Sequence, residues 1–350
     1  MKKYRVLITG VGGKSVGYQI LYCLKGLEKQ YDIFVADCKP FTYGLYLGYA
    51  AIILPPAGNV EFINEFMSAV RQHEIDAVIP GTEIELRVLV DHEDKLASLG
   101  CRLIANPTTV VKLCDDKANI ASWLLRHGFS TPLTFPLRQW RDLIAQKGYP
   151  VIVKPSRGTG GSKGVEIIGN DQEMREYLAG ADDNVIVQEY IDASRGEYTV
   201  GVVVSPLGTI VDSIVIRREL VDFSFGASKD CANRRLIISS GISQGFIVKN
   251  DKIAKRCEDL ALAIGARGPL NIQGRATHDD ISIFEVHPRF SGTTCIRATA
   301  GFNEVDIVLR MFLDDEVFGR IQYKTNQAVI RCLDHVLVPS ESYLGTIPSE

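Results

Sequence analysis

Through the first hundred residues, short apolar runs alternate with stretches whose apolar positions recur at the helical period. Residues 4–9, YRVLIT, read as a strand; Gly10, Gly12, Gly13 and Gly17 then lead into a helix from about Tyr18, and a second strand, IFVAD, ends at Asp37. Three further strand-like runs follow, AAIIL at 50–54, DAVIP at 76–80 and CRLIA at 101–105, with helices near 60–73 and 84–98. Strands alternating with helices in this way predict a parallel sheet covered on both faces. The turn after the first strand, Gly10-x-Gly12-x-x-Ser15, departs from a dinucleotide fingerprint, and a Walker pattern would need glycine where Ile8 stands. Gly81, Thr82, Glu83 and Glu85 follow a strand's carboxyl end, where open α/β sheets place ligands. Glu83 reads either as a holder of a substrate amine or as a helix-start carboxylate favoured by the dipole.

Beyond residue 105 the pattern changes to a single helix with Asn106 and Pro107 at its start, and Lys117, after Asp115 and Asp116, facing the next domain. Gly128 and Thr131-Pro132 mark a boundary, and residues 138–147 read as a helix. The stretch 151–164, VIVKPSRGTGGSKG, is a β-branched strand that delivers Lys154 to the point where pairing stops, then a glycine-rich loop. Gly158, Gly160, Gly161 and Gly164 let backbone N–H groups converge, Ser156, Thr159 and Ser162 add hydroxyls, and Arg157 and Lys163 add charge. This is a phosphate-binding flap or, on the plainer reading, a basic surface hairpin. GVEII at 164–168 returns as the flap's second strand, a helix ends at Gly180, and two strand-like runs meet at Gln188-Glu189-Tyr190-Ile191 and Glu197.

Residues 268–292 carry the densest chemistry. Strand alternation places Gln273 and Arg275 on one face and Glu285, His287 and Arg289 together on the partner strand, with Phe284 and Val286 pointing away. For Gln273 and Glu285 to share a site, the hairpin must enclose an odd number of residues, such as 278–280. These polar groups would be costly to bury unpaired; a bound metal and phosphates would satisfy them.

Composition narrows the classes. In 350 residues, 39 Lys plus Arg balance 42 Asp plus Glu, a net charge of −3, which gives no support for nucleic-acid or anionic-membrane partners. The N-terminus lacks a signal-peptide core and no stretch is long enough to span a membrane, so a cytoplasmic protein is expected. Eight scattered cysteines without a CxxC pair predict neither a disulfide framework nor a zinc site.

Lys154 with its flap, the Gln188-Glu189-Tyr190-Ile191 hinge with Glu197, and the run Glu285-Val286-His287-Pro288-Arg289-Phe290-Ser291-Gly292 together resemble the ATP-grasp superfamily. Within it they resemble the synthetase units of the carbamoyl-phosphate synthetase large subunit, over about residues 112–312. The resemblance implies an α/β protein: an N-terminal Rossmann-like parallel-sheet domain over 1–111, then a two-lobed α+β ATP-grasp domain with its small lobe at 112–189 and large lobe at 190–350. It implies ATP and Mg2+ as cofactors, with Lys117, Lys154 and the flap residues Gly158, Gly160, Gly161 and Ser162 on phosphates. Glu189, Tyr190 and Ile191 would hold adenine and Glu197 the ribose, while Glu285 and Gln273 would bind metal. Arg289 would stabilise the transferred phosphoryl group, and Arg275 is the preferred contact for the acyl carboxylate or acyl phosphate.

One position departs from the family pattern, which has asparagine where His287 stands. Magnesium prefers oxygen, so His287 implies a lost ligand, a water-mediated contact or tolerance of Mn2+, unless it serves only substrate or packing. The implied chemistry is ATP-dependent phosphorylation of a carboxylate to an acyl phosphate, with release of ADP and coupling to an amine. The partners are then small-molecule carboxylate and amine substrates, and a homodimer is compatible. Alternatives are phosphorylation of bicarbonate or carbamate, and a non-catalytic ATP-binding regulatory module.

Overall fold

The computed structural model describes residues 2–158, 162–231, 234–278 and 280–346. The first part contains β1 (Tyr4–Thr9), α1 (Val16–Leu24), β2 (Tyr31–Asp37), β3 (Ala50–Ile53), α2 (Phe62–Gln72), β4 (Ala77–Ile79), α3 (Glu83–Val90), α4 (Glu93–Ser98) and β5 (Arg102–Leu103). Its five strands lie in the order β3-β2-β1-β4-β5, and every pairing is parallel. Val6, Leu7 and Ile8 of β1 are fully buried because both faces of a parallel sheet are covered. Val6 and Ile8 join Ile20 and Leu24 of α1 on one face, whereas Leu7 joins Phe62 and Phe66 of α2 on the other. At the carboxyl end of this sheet a Cβ on Gly17 or Gly81 would stand 2.2 or 1.9 Å from the Thr9 carbonyl oxygen. Only glycine permits that approach.

Where one helix was expected after residue 106, α5 (Thr108–Cys114) and α6 (Lys117–Arg126) are separate. The Asp116 carboxylate accepts from the N–H groups of Ala118 and Asn119 at 2.9 and 3.1 Å, an N-cap that restarts the helix and makes Lys117 its first residue. The expected 84–98 helix likewise divides into α3 and α4.

The small lobe holds β6 (Thr134–Pro136), α7 (Trp140–Lys147), β7 (Val151–Pro155), β8 (Glu166–Ile168), α8 (Asp171–Leu178) and β9 (Val185–Glu189). Its antiparallel sheet runs β6-β9-β7-β8 over a core of its own around Trp140, Leu143, Val153 and Met174.

The large lobe contains β10 (Glu197–Val204), β11 (Ile210–Arg218), β12 (Phe225–Cys231), β13 (Arg234–Ser239), β14 (Gly245–Val248), α9 (Asp251–Ala263), β15 (Gly268–Ala276), β16 (Ile281–His287), α10 (Thr294–Thr299), α11 (Glu304–Leu313) and β17 (Gln327–Val329). Six strands form an antiparallel sheet, β16-β15-β10-β11-β14-β17, and β12 and β13 form a separate hairpin. One face of the sheet packs on α6 and α9 through Leu124, Cys257 and Leu260. The opposite face packs Val203, Ile214 and Ile247 on Val305, Val308 and Leu309 of α11, and the same core continues into Ile20 and Leu24 of α1. The N-terminal sheet and the large lobe therefore share one interior.

The hairpin between β15 and β16 encloses four residues, 277–280, not an odd number. Pairs from Ala276↔Ile281 to Gly274↔Ile283 keep that register; it then shifts by one, and Gln273 pairs with Glu285 and Asn271 with His287. Phe284 is the extra residue of a β-bulge, and it restores the parity that the even loop would have destroyed. The bulge also corrects the expectation for Phe284, which lines the same cleft as Glu285 instead of pointing away. Beyond residue 334 the described chain forms no strand and returns over the N-terminal sheet, where the Tyr43 hydroxyl donates to Asp334 at 2.8 Å. No described helix is long and apolar enough to cross a membrane.

Candidate active site

Where β7, β9, β10, β15 and β16 converge, a cleft of about 740 Å³ opens between the lobes. Its apolar walls include Ile152, Val165, Ile237 and Phe284, and its polar floor includes Lys117, Lys154, Gln273 and Glu285. A second cavity of about 520 Å³ lies on the far side of Lys117 and Glu285, walled by Glu83, Gly158, His287 and Arg289. Lys117 and Glu285 line both.

Lys154 reaches the floor from β7 and is 7% exposed, its Nζ 5.8 Å from the centre of the Phe284 ring. Burial pushes its ammonium pKa down to about 8, with Lys117 adding to the fall and Glu285 opposing it. Lys117 is placed by the Asp116 cap, its backbone N–H donating to the Ser156 carbonyl at 3.0 Å and its Nζ standing 4.0 Å from Glu285 Oε1. Burial raises the Glu285 carboxyl, but His287, Lys117 and Lys154 outweigh it and hold the pKa at about 2. Glu285 is thus held as a carboxylate at neutral pH.

His287 lies between two carboxylates: Nε2 is 3.2 Å from Glu285 Oε2 and Nδ1 is 3.1 Å from Glu83 Oε1. Burial lowers its pKa, yet Glu285 reverses the sign and raises it, favouring the imidazolium. Arg289 also pairs with Glu83. Burial acts to raise the Glu83 carboxyl, but Arg289 and His287 hold it well below the usual carboxylate range. Glu83, two hundred residues away in sequence, therefore ties the start of α3 to the end of β16. In this arrangement both nitrogens of the His287 imidazole face carboxylates. The fit to magnesium rests on Glu285 and its cross-strand partner Gln273. No group of three His, Cys, Asp or Glu among the described residues could hold a metal ion. One carboxylate and one amide suit an ion that takes its remaining oxygens from phosphates and water.

Two other expectations change. Glu197 is buried, with Oε1 accepting from Arg218 at 2.7 Å and Oε2 from Arg275 at 2.9 Å, so both oxygens that were expected at a ribose are engaged. Arg275 also donates to the carbonyls of Ile191 and Ile237 at 2.6 and 2.7 Å, and its guanidinium lies 5.2 Å from the Tyr190 ring centre. That leaves it an organiser of the hinge, not a free contact for an acyl phosphate. Glu189, which also lines the cleft, accepts from the Leu133 N–H at 3.1 Å and pairs with Lys147 at 3.0 Å. The Tyr190 hydroxyl accepts from the Ile237 N–H at 2.9 Å, and the Ser162 hydroxyl donates to the Ser239 carbonyl at 2.7 Å, which joins hinge and flap to the β12–β13 hairpin. Gly158 takes φ +81° beside the second cavity; Gly160 and Gly161 lie outside the described residues.

Family models match in three segments: a PylC-like N-terminal domain over residues 6–104, a RimK-like ATP-grasp domain over 114–224, and ATP-grasp in the biosynthetic pathway with Ter operon over 182–335. ATP-grasp domains thus span residues 114–335 of this chain. The chain resembles a single synthetase unit of the carbamoyl phosphate synthase large chain: the Campylobacter jejuni protein is 24% identical over 309 residues, covering 83% of this chain and 27% of that one. The chain thus spans about a quarter of the length of that relative. Among solved structures, the biotin carboxylase domain dimer of Hydrogenobacter thermophilus 2-oxoglutarate carboxylase, in complex with MgADP, ADP and bicarbonate, superposes with TM-score 0.67 at 16% identity. That match covers 92% of this chain and 73% of the other. The L-amino acid ligase of Bacillus licheniformis superposes with TM-score 0.65 at 17% identity, covering 89% and 75%. At these identities the structural likeness concerns the fold.

Proposed function

We propose that this protein is an ATP-dependent ligase that phosphorylates a small carboxylate to an acyl phosphate, releases ADP and couples the acyl group to an amine. The observation that carries this reading is the pair of cavities meeting at Lys117 and Glu285. A nucleotide in the larger cleft presents its terminal phosphate to that pair, and an acceptor in the smaller cavity approaches from the opposite side. The flat apolar walls take adenine, and backbone groups of the 189–191 hinge read its edge. Lys154 and Lys117 hold phosphate oxygens, and Arg289 faces the acceptor. Mg2+, held by Glu285 and Gln273 together with the phosphates, would neutralise charge on the transferring group. The remaining task of the chain is to orient both partners and exclude water. Glu83 is the acceptor-side residue for an amine, released from Arg289 when a substrate carboxylate takes its place.

Nucleotide release in the presence of Mg2+, a panel of carboxylates and hydroxylamine tests the reading. ADP together with hydroxamate supports it, whereas AMP would indicate adenylation and overturn it. A small acceptor such as bicarbonate, turning over without an amine, would select the carbamoyl-phosphate-type alternative.

A second reading, an ATP-binding regulatory module, draws on His287 alone, because an imidazolium between Glu285 and Glu83 supplies positive charge where the family has a neutral amide. His287→Asn separates the two. In a working ligase it is expected to shift the preference between Mg2+ and Mn2+ by several-fold in kcat/KM. In a silent module it is expected to raise ATP turnover from none. Unchanged metal dependence and turnover would leave His287 only a link between Glu285 and Glu83.

Lys154 adds a pH prediction. Phosphate favours its charged form, so binding ATP above pH 8 is expected to draw a proton from the buffer, and affinity is expected to fall as pH rises through 8. Calorimetry in buffers of different ionisation enthalpy reads the proton directly. Lys154→Met should abolish the uptake and weaken ATP by roughly tenfold or more; unchanged affinity would remove Lys154 from the phosphate site.

A further inference from the structure

The cleft does not close beyond Glu197. Past Tyr190, Glu197 and Ile237, which it shares as a wall with the nucleotide cleft, lies a cavity of about 1180 Å³. Four arginines line it, Arg217, Arg218, Arg234 and Arg235. Of its carboxylates, Asp192 is taken by Arg234, and Glu197 by Arg218 and Arg275. Glu219 alone faces the rest.

Three observations mark this as more than a solvated basic face. Arg218 is 96% buried, being 4% exposed, and its Nε has no hydrogen-bond partner although NH1 and NH2 are engaged. Among the described residues, the Arg217 guanidinium has neither a hydrogen bond nor an ion pair. It crosses the chain at Gly196, where φ is +100° and a Cβ would lie 3.2 Å from Arg217 Nε, so the turn leaves room for it. Arg235 donates to the Ser228 hydroxyl at 3.2 Å and lies over the Phe225 ring. Positive charge held at a concave site, with one donor buried and unmet, calls for an anion.

We infer that this cavity binds a phosphate-class anion beside the sugar end of the nucleotide cleft. The phosphate comes either on the ribose of an extended nucleotide or on a separate molecule. The inference rests on the nucleotide reading of the neighbouring cleft only for the identity of the neighbour, since the arginines act on an anion whether or not ATP is bound.

Titration calorimetry on the full chain tests it with three probes: inorganic pyrophosphate on the free protein, pyrophosphate in saturating ADP, and adenosine 3′,5′-bisphosphate against AMP. The Arg217→Gln, Arg235→Gln double variant alters exposed side chains and is not expected to disturb folding, which circular dichroism checks. A ribose-borne phosphate predicts that the bisphosphate binds about tenfold tighter than AMP. A separate ligand predicts that pyrophosphate binds alongside ADP. In either case the gain is lost in the double variant and declines with added salt. No gain from any probe, or a gain that survives in the variant, overturns the inference. Should ADP fail to bind while pyrophosphate heat is lost in the variant, the nucleotide reading falls and the anion site stands.

Discussion

Glu285→Ala is expected to lower ADP formation by roughly a thousandfold, the scale on which removing a charge-stabilising group at a reacting centre acts. Among the described residues, this is the one carboxylate that lines both cavities, and it sits opposite Gln273. Three cations, Lys117, Lys154 and His287, are balanced by it. Without it they repel one another, and an anionic nucleotide is drawn in more tightly even as turnover collapses. The informative result is therefore opposite movement: ATP affinity kept or improved, kcat nearly lost. Glu285→Gln is expected to behave the same way, since it keeps the shape and removes the charge. A variant that retains a tenth of the wild-type kcat would refute the central role given to Glu285.

The second large effect lies in the interior. Arg297 and Glu304 are each 1% exposed, and one guanidinium nitrogen of Arg297 donates to both carboxylate oxygens at 2.8 and 3.1 Å. Glu304→Ala leaves a guanidinium in the core without its counter-charge, a change that costs about 3–5 kcal/mol. At the size of this chain that corresponds to a melting temperature lower by roughly 5 °C. Replacing both partners by apolar residues, Arg297→Met with Glu304→Leu, is expected to recover most of the loss, because the penalty comes from the orphaned charge and not from the missing pair. A double variant as unstable as the single one would contradict this. The pair also reaches the site: Arg297 donates to Asn271, which is paired across the strands with His287. Thermal scans and activity should therefore decline together in Glu304→Ala.

The sequence made Lys154 legible because it lies at the end of a regular strand, whereas Gln273 and Glu285 came together only because a bulge made up for the even loop between their strands. Lys117 was legible in place but not in cause, since the Asp116 cap that positions it divides what periodicity alone reads as one helix. Phe284 was misread because a bulge needs no sequence signal beyond the parity of a loop, and that loop could be counted either way. Glu83 was noticed as a carboxylate at a sheet's carboxyl end, yet nothing in the chain joined it to His287 and Arg289. The engagement of Glu197 by Arg218 and Arg275 was hidden for a similar reason. Cross-strand partners on β10, β11 and β15 are fixed by register, which only the assembled sheet displays.

The interior that runs without a break from α1 into α11 also bears on how such proteins diversify. Ile20 and Leu24 bury against the same cluster as Val305 and Leu309, so the first hundred residues cannot be exchanged for those of a relative as a self-contained cassette. A graft made at residue 104 would have to carry matching changes more than two hundred positions downstream. The small lobe, with a core to itself, carries no such obligation. Changes in the small lobe can therefore be acquired by recombination, whereas changes at the Glu83–Arg289 pair must be reached by coordinated substitution on both sides of a shared seam.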